Sequence, residues 1–387
     1  MRIDSRAVHA GRDLGAGDAQ APAISPTSTW IYDDLDEYER VASGVQSGHL
    51  YARESGENVA MLEAAVADLE GAEAAVATAS GMAALLATLL ALAPRPAPIA
   101  IDRHCYGVSL ALLRRDLEPL GYEVRVVEAS DAGALESALP GAAMLLVETI
   151  ANPLCQVADI PGLARACERH HAHLVVDGTF ATPYLNRPLE HGASVVLHSV
   201  TKYLGGHSDL IAGVVSGPRE LMSEIRSRRS RLGSSLGPFE AWLALRGLRT
   251  LPVRMARHSQ NALQLARALD GMRVVRRVYH PGLPSSPDHD LVRAMLPQGT
   301  GGMLALDLAG GRPALQAALR RFRMVRFAAS LGGVETTISY PAITSHRALP
   351  EEERLLVGVS AETVRVSVGL EDASDLIADF QQAFEAS

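Results

Sequence analysis

The chain has 387 residues, 48% of them hydrophobic, which is enough for a large buried core divided among two or three domains. Its formal net charge is -8 and no dense Lys/Arg block occurs, so the electrostatic footprint of a nucleic-acid or anionic-membrane binder is missing and small metabolites are the expected partners. No apolar leader opens the sequence, the most apolar stretch (74–93) is broken by Ser80 and Gly81, and Cys105, Cys155 and Cys167 form no CxxC pair, so the expectation is a cytoplasmic protein without a disulfide framework or structural zinc.

Residues 1–51, with Pro22, Pro26 and several glycines but no sustained period, read as an extended arm carrying a short helix near 33–42 and little core of its own. From Asn58 the pattern becomes an Ala/Leu-rich helix (58–70), an apolar strand (74–79) and a helix (80–92). Short apolar runs follow at 98–102, 123–128, 143–149, 173–177, 194–198 and 211–215, most of them separated by helix-length segments such as 107–120 and 159–170. Strands apolar on both faces and alternating with helices describe a mostly parallel sheet covered on both sides, so 52–245 is expected to be an α/β domain. A long helical stretch at 239–269 leads to strands near 272–279, 302–308, 323–329, 334–339 and 363–368 and an amphipathic helix at 374–384. Residues 246–387 therefore read as a smaller α+β domain, with loops at 280–290 and at 346–354, where three glutamates form a solvated face.

Lys202 is the only lysine in the chain. It lies in Ser199-Val200-Thr201-Lys202-Tyr203-Leu204-Gly205-Gly206-His207, directly after an apolar strand, so its amine is expected at the carboxyl edge of the sheet, where ligands of open α/β folds collect. A guanidinium does not serve as a neutral amine nucleophile near neutral pH, whereas a desolvated lysine can. Ser199 and Lys202 also have the Ser-x-x-Lys spacing of serine acyl-enzymes, but that chemistry calls for a Lys-Thr-Gly element that a chain with one lysine cannot supply. Asp177 closes the buried-strand pattern His173-Leu174-Val175-Val176-Asp177; such a residue either caps the next helix or faces a cationic ring nitrogen. Ser80-Gly81-Met82 opens a helix directly after a strand, where free amides favour a phosphate. Arg365 sits in the apolar strand Val364-Arg365-Val366-Ser367-Val368 and calls for an anionic partner, either a structural acid or a substrate carboxylate. An amine, a ring-facing carboxylate, an anion site and a carboxylate clamp are together the four needs of a pyridoxal-5'-phosphate (PLP) site, in which Lys202 forms a Schiff base with the cofactor aldehyde. His170, His171 and His173 crowd a helix end without completing a metal set, and His207 reads as structural.

These residues resemble the Cys/Met metabolism PLP-dependent enzymes: cystathionine synthases and lyases, methionine gamma-lyase and homocysteine-forming sulfhydrylases. The likeness runs from Ala7-Val8-His9-Ala10-Gly11 to Arg365-Val366-Ser367-Val368-Gly369-Leu370-Glu371-Asp372, and is most specific at Ser199 to Tyr203, at Gly206-His207-Ser208-Asp209 and at Ser330-Leu331-Gly332-Gly333-Val334-Glu335. The resemblance implies the fold-type I (aspartate aminotransferase-like) architecture. It further implies that Lys202 holds the cofactor and moves protons, Asp177 pairs with the pyridine nitrogen, and Ser80, Gly81, Met82, Ser199 and Thr201 meet the phosphate. Tyr106 would stack on the ring and assist proton transfer, Asn152 would lie near the phenolic oxygen, and Ser330 with Arg365 would clamp the substrate carboxylate. Tyr51 and Arg53 would reach the phosphate of a neighbouring subunit, in a homotetramer built as a dimer of dimers.

Three departures bear on activity. Gly56-Glu57-Asn58 stands where relatives often have Asn-Pro-Thr, Val108 stands where methionine gamma-lyases usually have cysteine, and Ala329 stands where many cystathionine gamma-synthases and gamma-lyases carry an acid. The expectation is a carbon–sulfur lyase eliminating from an amino acid such as cystathionine, cysteine, homocysteine or methionine, favoured over replacement chiefly by Ala329. Alternatives are γ-replacement on an activated homoserine, a specialised γ-lyase acting on a non-protein amino acid, and a PLP-binding regulator without turnover.

Overall fold

The computed structural model describes residues 1–12, 19–287 and 289–384. Residues 13–18 of the expected arm, residue 288 of the expected loop and residues 385–387 lie outside the described residues.

Seven strands form the larger sheet: β1 (Ala74–Thr78), β2 (Ile99–Asp102), β3 (Val124–Val127), β4 (Met144–Glu148), β5 (His173–Asp177), β6 (Val195–Ser199) and β7 (Gly213–Gly217). Their order is β1-β7-β6-β5-β4-β2-β3. The run from β6 to β3 is parallel throughout, and β7 is antiparallel to both of its neighbours, so β1 points the same way as β6. Val, Ile, Leu and Ala dominate the inner strands because helices cover both faces, while edge strand β3 is only partly buried and carries Arg125. One consequence fixes the site: Thr78, Glu148, Asp177 and Ser199 all end their strands at the same sheet edge. Register brings Glu148 opposite Asp177, and Asp177 opposite Leu197.

The second sheet contains β8 (Val275–Tyr279), β9 (Met303–Leu308), β10 (Arg326–Phe327), β11 (Thr337–Ser339) and β12 (Thr363–Ser367), in the order β10-β11-β12-β9-β8. Helix Ala373–Phe384 packs Phe380 and Phe384 edge-on against Phe322, at centroid distances of 4.9 and 5.9 Å, and closes the core beneath this sheet. Arg365 lies mid-strand on β12 between Ser339 and Ala305. The fold-type I expectation, an α/β chain with a mostly parallel sheet and a smaller C-terminal α+β part, agrees with this architecture.

Several local expectations need correction. The segment 107–120 is α-helical only over Gly107–Ala111, widening to a π-helix at Leu112–Leu117 and tightening to a 3-10 turn at Glu118–Leu120, where Pro119 has no N–H for the regular ladder. The stretch 239–269 is two helices, Pro238–Leu248 and Leu251–Leu269, because Pro252 suits the first turn of a new helix and not the interior of an old one. Strand β7 starts at Gly213 instead of 211, since both backbone groups of Ala212 are engaged by Thr201. Strand β10 is only two residues long. The glutamates in the expected loop at 346–354 open a short helix, Glu351–Leu356, where acids favour the N-terminal dipole. Helices that were not anticipated include Ile3–His9 in the arm, Gly311–Leu319, and Arg219–Leu232, whose buried face holds Met222, Ile225 and Arg229. Among the described residues no helix is long and apolar enough to cross a membrane.

Candidate active site

A cavity of about 510 Å³ opens at the carboxyl edge of the larger sheet and is closed on its far side by the loop before β11 and by β12. Every site residue expected from the sequence lines it except Tyr51 and Arg53.

Lys202 leaves β6 through a tight turn in which its N–H donates to Ser199 O at 3.1 Å and its carbonyl accepts from Gly206 N at 2.7 Å. Arg254 stiffens this loop from behind by donating to Tyr203 O and Gly247 O, both at 2.7 Å. The loop after Ser330 lies directly on it: at Gly332, where φ is +77°, a Cβ would sit 2.8 Å from Tyr203 N, so only glycine fits. This contact brings the Ser330 hydroxyl within 2.8 Å of Lys202 Nζ, which donates to it. Burial, aided by the Arg365 charge, brings the lysine amine down to about 8 and so raises the fraction of nucleophilic neutral amine near neutral pH.

Asp177 faces the cavity from the end of β5 and accepts from Thr179 N at 2.9 Å. The helix that follows, Thr182–Leu185, has Ala181 at its N-cap, so Asp177 does not cap it. Burial pushes the Asp177 carboxyl up, opposed by hydrogen bonds from Thr179 and by the charge of His198. His198 is fully buried with its Nε2 2.6 Å from Glu70 Oε1, behind the strand end that carries Asp177. Glu148, in register beside Asp177, is held well above the usual carboxylate range by burial and then by Asp177 itself. It accepts from Tyr106 N at 2.6 Å and Asn152 N at 3.1 Å, and so positions both of those residues.

Helix Gly81–Leu92 points its N-terminus at the same edge. Ser80 caps it by accepting from Ala83 N at 3.1 Å, while the first-turn amides of Gly81 and Met82 have no intrahelical acceptor. A Cβ at Gly81 would lie 2.9 Å from Ser199 Cβ, so a side chain there would fill the space between this turn and the lysine strand. Thr201 also lines the cavity, and its Oγ1 donates to Ala212 O at 3.2 Å.

Arg365 is 3% exposed, and its guanidinium donates to Asn152 Oδ1 at 3.0 Å and to Ser330 O at 2.9 Å. Among the described residues it has no carboxylate partner, and its buried Nε has no hydrogen-bond partner. Of the two readings open for this residue, the structural ion pair is therefore absent, leaving a desolvated cation aimed at a cavity. Burial pushes the Tyr106 hydroxyl up, partly offset by Arg365.

Tyr51 and Arg53 are exposed and outside the cavity of their own chain, with the Arg53 guanidinium 5.3 Å from the Tyr51 ring centroid and bonded to Ser230 O and Oγ, both at 3.1 Å. Sequence reasoning gave no role to Glu148, Thr179, Ile343, Ser345 or Arg347, all of which line the cavity. For Glu148 a signal existed, since it closes an apolar strand as Asp177 does; the 343–347 segment offered none. Asn58, one of the departures from family pattern, is buried and ties down the arm by bonding Ala23 O and Ser25 N at 2.8 and 2.9 Å. His207 Nδ1 lies 2.9 Å from Gly205 O and serves its own loop.

The donor set fits PLP: a lysine amine of lowered basicity, a buried carboxylate that a cationic ring nitrogen would neutralise, free helix-start amides for a phosphate and an unpaired guanidinium for a carboxylate. The profile described as "Cys/Met metabolism PLP-dependent enzyme" matches residues 4–385. The chain is 40% identical to the L-methionine gamma-lyase of Pseudomonas putida, over 99% of this chain and 97% of that protein. It is 38% identical to the O-succinylhomoserine sulfhydrylase of Pseudomonas aeruginosa, over 99% and 95%. Among solved structures, a putative O-acetylhomoserine (thiol)-lyase from Campylobacter jejuni, which contains N'-pyridoxyl-lysine-5'-monophosphate, superposes with a TM-score of 0.95 at 28% identity, covering 100% of both chains. With cofactor chemistry, sheet topology and whole-chain similarity in agreement, the protein belongs to the Cys/Met metabolism PLP-dependent enzyme family.

Proposed function

We propose that the protein is a PLP-dependent carbon–sulfur lyase that performs β- or γ-elimination on a sulfur-containing amino acid, releasing a thiol, ammonia and a 2-oxo acid. The observation that carries this reading is the pairing of Lys202 Nζ with Ser330, whose backbone oxygen also anchors Arg365: one loop holds a proton-transfer amine and a carboxylate clamp in a single cavity. PLP, when bound, supplies an electron sink that acidifies the substrate Cα–H.

The chain's own groups do the rest. With PLP bound, Asp177 would hold its pyridine nitrogen cationic, and Ser80, Gly81, Met82, Ser199 and Thr201 would hold its phosphate. Asn152 would hold the phenolic oxygen, and Tyr106 would hold the ring and assist departure of the leaving group. Arg365 and Ser330 fix the α-carboxylate, so the Cα proton faces the Lys202 amine, which removes it and, for a γ-substituent, a Cβ proton as well. Tyr51 and Arg53 bind the phosphate of a neighbouring subunit in a cytoplasmic homotetramer. Their position outside their own cavity supports this, as do Ile31, Leu35 and Val45 of the same arm, exposed at 91%, 86% and 78%. Residues 1–51, 52–245 and 246–387 are taken as arm, PLP-binding domain and C-terminal domain.

A second reading, γ-replacement on an activated homoserine, draws support from the sulfhydrylase relative, while Ala329 at the cavity wall favours elimination. The holoenzyme should be incubated with L-cystathionine, L-methionine, L-homocysteine and L-cysteine, and separately with O-acetyl- and O-succinyl-homoserine plus a thiol. The lyase reading expects a 2-oxo acid from the first set; thioether formation from the second without oxo-acid release would replace it.

A further inference from the structure

Arg347 stands apart from the other arginines around it. Arg114 pairs with Glu353 at 2.8 Å, Arg354 donates to Leu349 O at 3.0 Å and Arg115 donates to Ala348 O. The Arg347 backbone is fixed, following buried Ser345 and His346 and donating its N–H to Thr344 O at 3.4 Å. Its guanidinium, exposed at the cavity wall, has no hydrogen-bond or ion-pair partner among the described residues. Its charge nevertheless reaches the site: after burial, Arg365 and Glu148, it is the next influence on the Tyr106 hydroxyl, whose pKa it lowers.

The surrounding wall sharpens the chemistry. Val108, Ile211, Ala329 and Ile343 line the cavity with apolar surface, and Ile211 and Ile343 are 64% and 47% exposed. Among the described residues the acids in the lining are Glu148 and Asp177, which end their strands and are engaged by backbone amides. A distal ammonium therefore meets no free carboxylate there, whereas a short alkyl chain ending in an anion meets apolar contact and then a guanidinium.

We propose that Arg347 is a specificity-determining residue that selects amino acids whose leaving group ends in a carboxylate. The inference rests on the reading of this cavity as the substrate site of an elimination or replacement enzyme. The shared chemistry is a terminal carboxylate, carried either by a thioether or by the dicarboxylic half-ester of a homoserine.

The test compares each acid with its uncharged carboxamide: S-(2-carboxyethyl)-L-homocysteine for the thioether arm, and O-succinyl-L-homoserine with a thiol for the ester arm. Values of kcat/KM, with kcat and KM resolved, are measured for wild-type holoenzyme, Arg347→Met and Arg347→Lys. Dissociation constants of the acids and amides come from the change in cofactor absorbance. The wild type is expected to favour the acid about tenfold or more, mostly through KM, as for a charge-assisted hydrogen bond. The methionine variant should bring the ratio close to one, and the lysine variant should keep part of it. Equal use of acid and amide by the wild type, a preference that survives in Arg347→Met, or a lysine variant no better than methionine would each overturn the proposal. The arm that turns over identifies the source of the carboxylate. If no thioether yields oxo acid while the binding preference still depends on Arg347, the lyase reading fails and the specificity assignment stands.

Discussion

Ser330 Oγ accepts a hydrogen bond from Lys202 Nζ at 2.8 Å although 128 residues separate the two in sequence. The same serine holds a φ of +83°, a left-handed conformation that costs a residue with a side chain of order 1–3 kcal/mol. Its position is thus maintained against local preference by the contacts it makes. Ser330→Gly is expected to stabilise the fold by about 1 kcal/mol in denaturant titration, while kcat/KM falls through loss of the amine's acceptor. Ser330→Ala should lose the same activity without the gain in stability. A glycine variant with wild-type kcat/KM would remove the hydroxyl from the account.

The lowered basicity of Lys202 sets a pH dependence. With its pKa brought to about 8 by burial and by Arg365, the amine is neutral above that pH and protonated below it. The rate at which cofactor-free protein captures PLP should therefore rise through about pH 8 and level off. Stopped-flow absorbance against pH checks this; a rate still climbing steeply beyond pH 10, where an ordinary lysine titrates, would contradict it.

Asp177 supplies a different handle. Its carboxyl is pushed up by burial, a penalty that a protonated ring nitrogen beside it would relieve. Asp177→Asn should keep the strand end folded but bind PLP more weakly and lower kcat by roughly a hundredfold or more, as expected when the electron sink loses its counter-charge. Equilibrium dialysis and steady-state kinetics give the two readouts. Unchanged values in both would place the ring elsewhere.

Arg53→Ala is expected to weaken PLP retention although Arg53 lies outside its own cavity. A stronger check mixes subunits: inactive Lys202→Ala and impaired Arg53→Ala chains, refolded together, should regain activity in sites built from the intact half of each. No recovery in hybrids verified by mass would argue for sites contained in single chains.

Much of this site was legible in the sequence because its signals are local. Lys202 and Asp177 each follow a short apolar run, and a run that buries both faces of a strand must end at the sheet edge, where its terminal residue meets a ligand. Glu148 has the same local pattern, yet its importance comes from lying opposite Asp177 in register, and register follows from strand order, which the linear pattern does not encode. The free Arg347 guanidinium was invisible for a related reason: only the packing of the 343–347 segment over the first sheet's edge brings it to the cavity. The π-helix at Leu112–Leu117 was likewise hidden, since apolar spacing hardly distinguishes it from the α-helix it extends. Arg365 was readable as a charge that needed a partner, but choosing between an internal acid and a ligand required seeing its neighbours, Asn152 and Ser330 O.

The most direct test of the cofactor assignment uses the fact that the chain has one lysine. Holoenzyme reduced with borohydride, digested and sequenced by mass spectrometry should carry a phosphopyridoxyl group on Lys202, with Lys202→Arg protein left unlabelled. Protein that stays colourless after incubation with PLP and shows no such adduct at Lys202 would contradict the central claim.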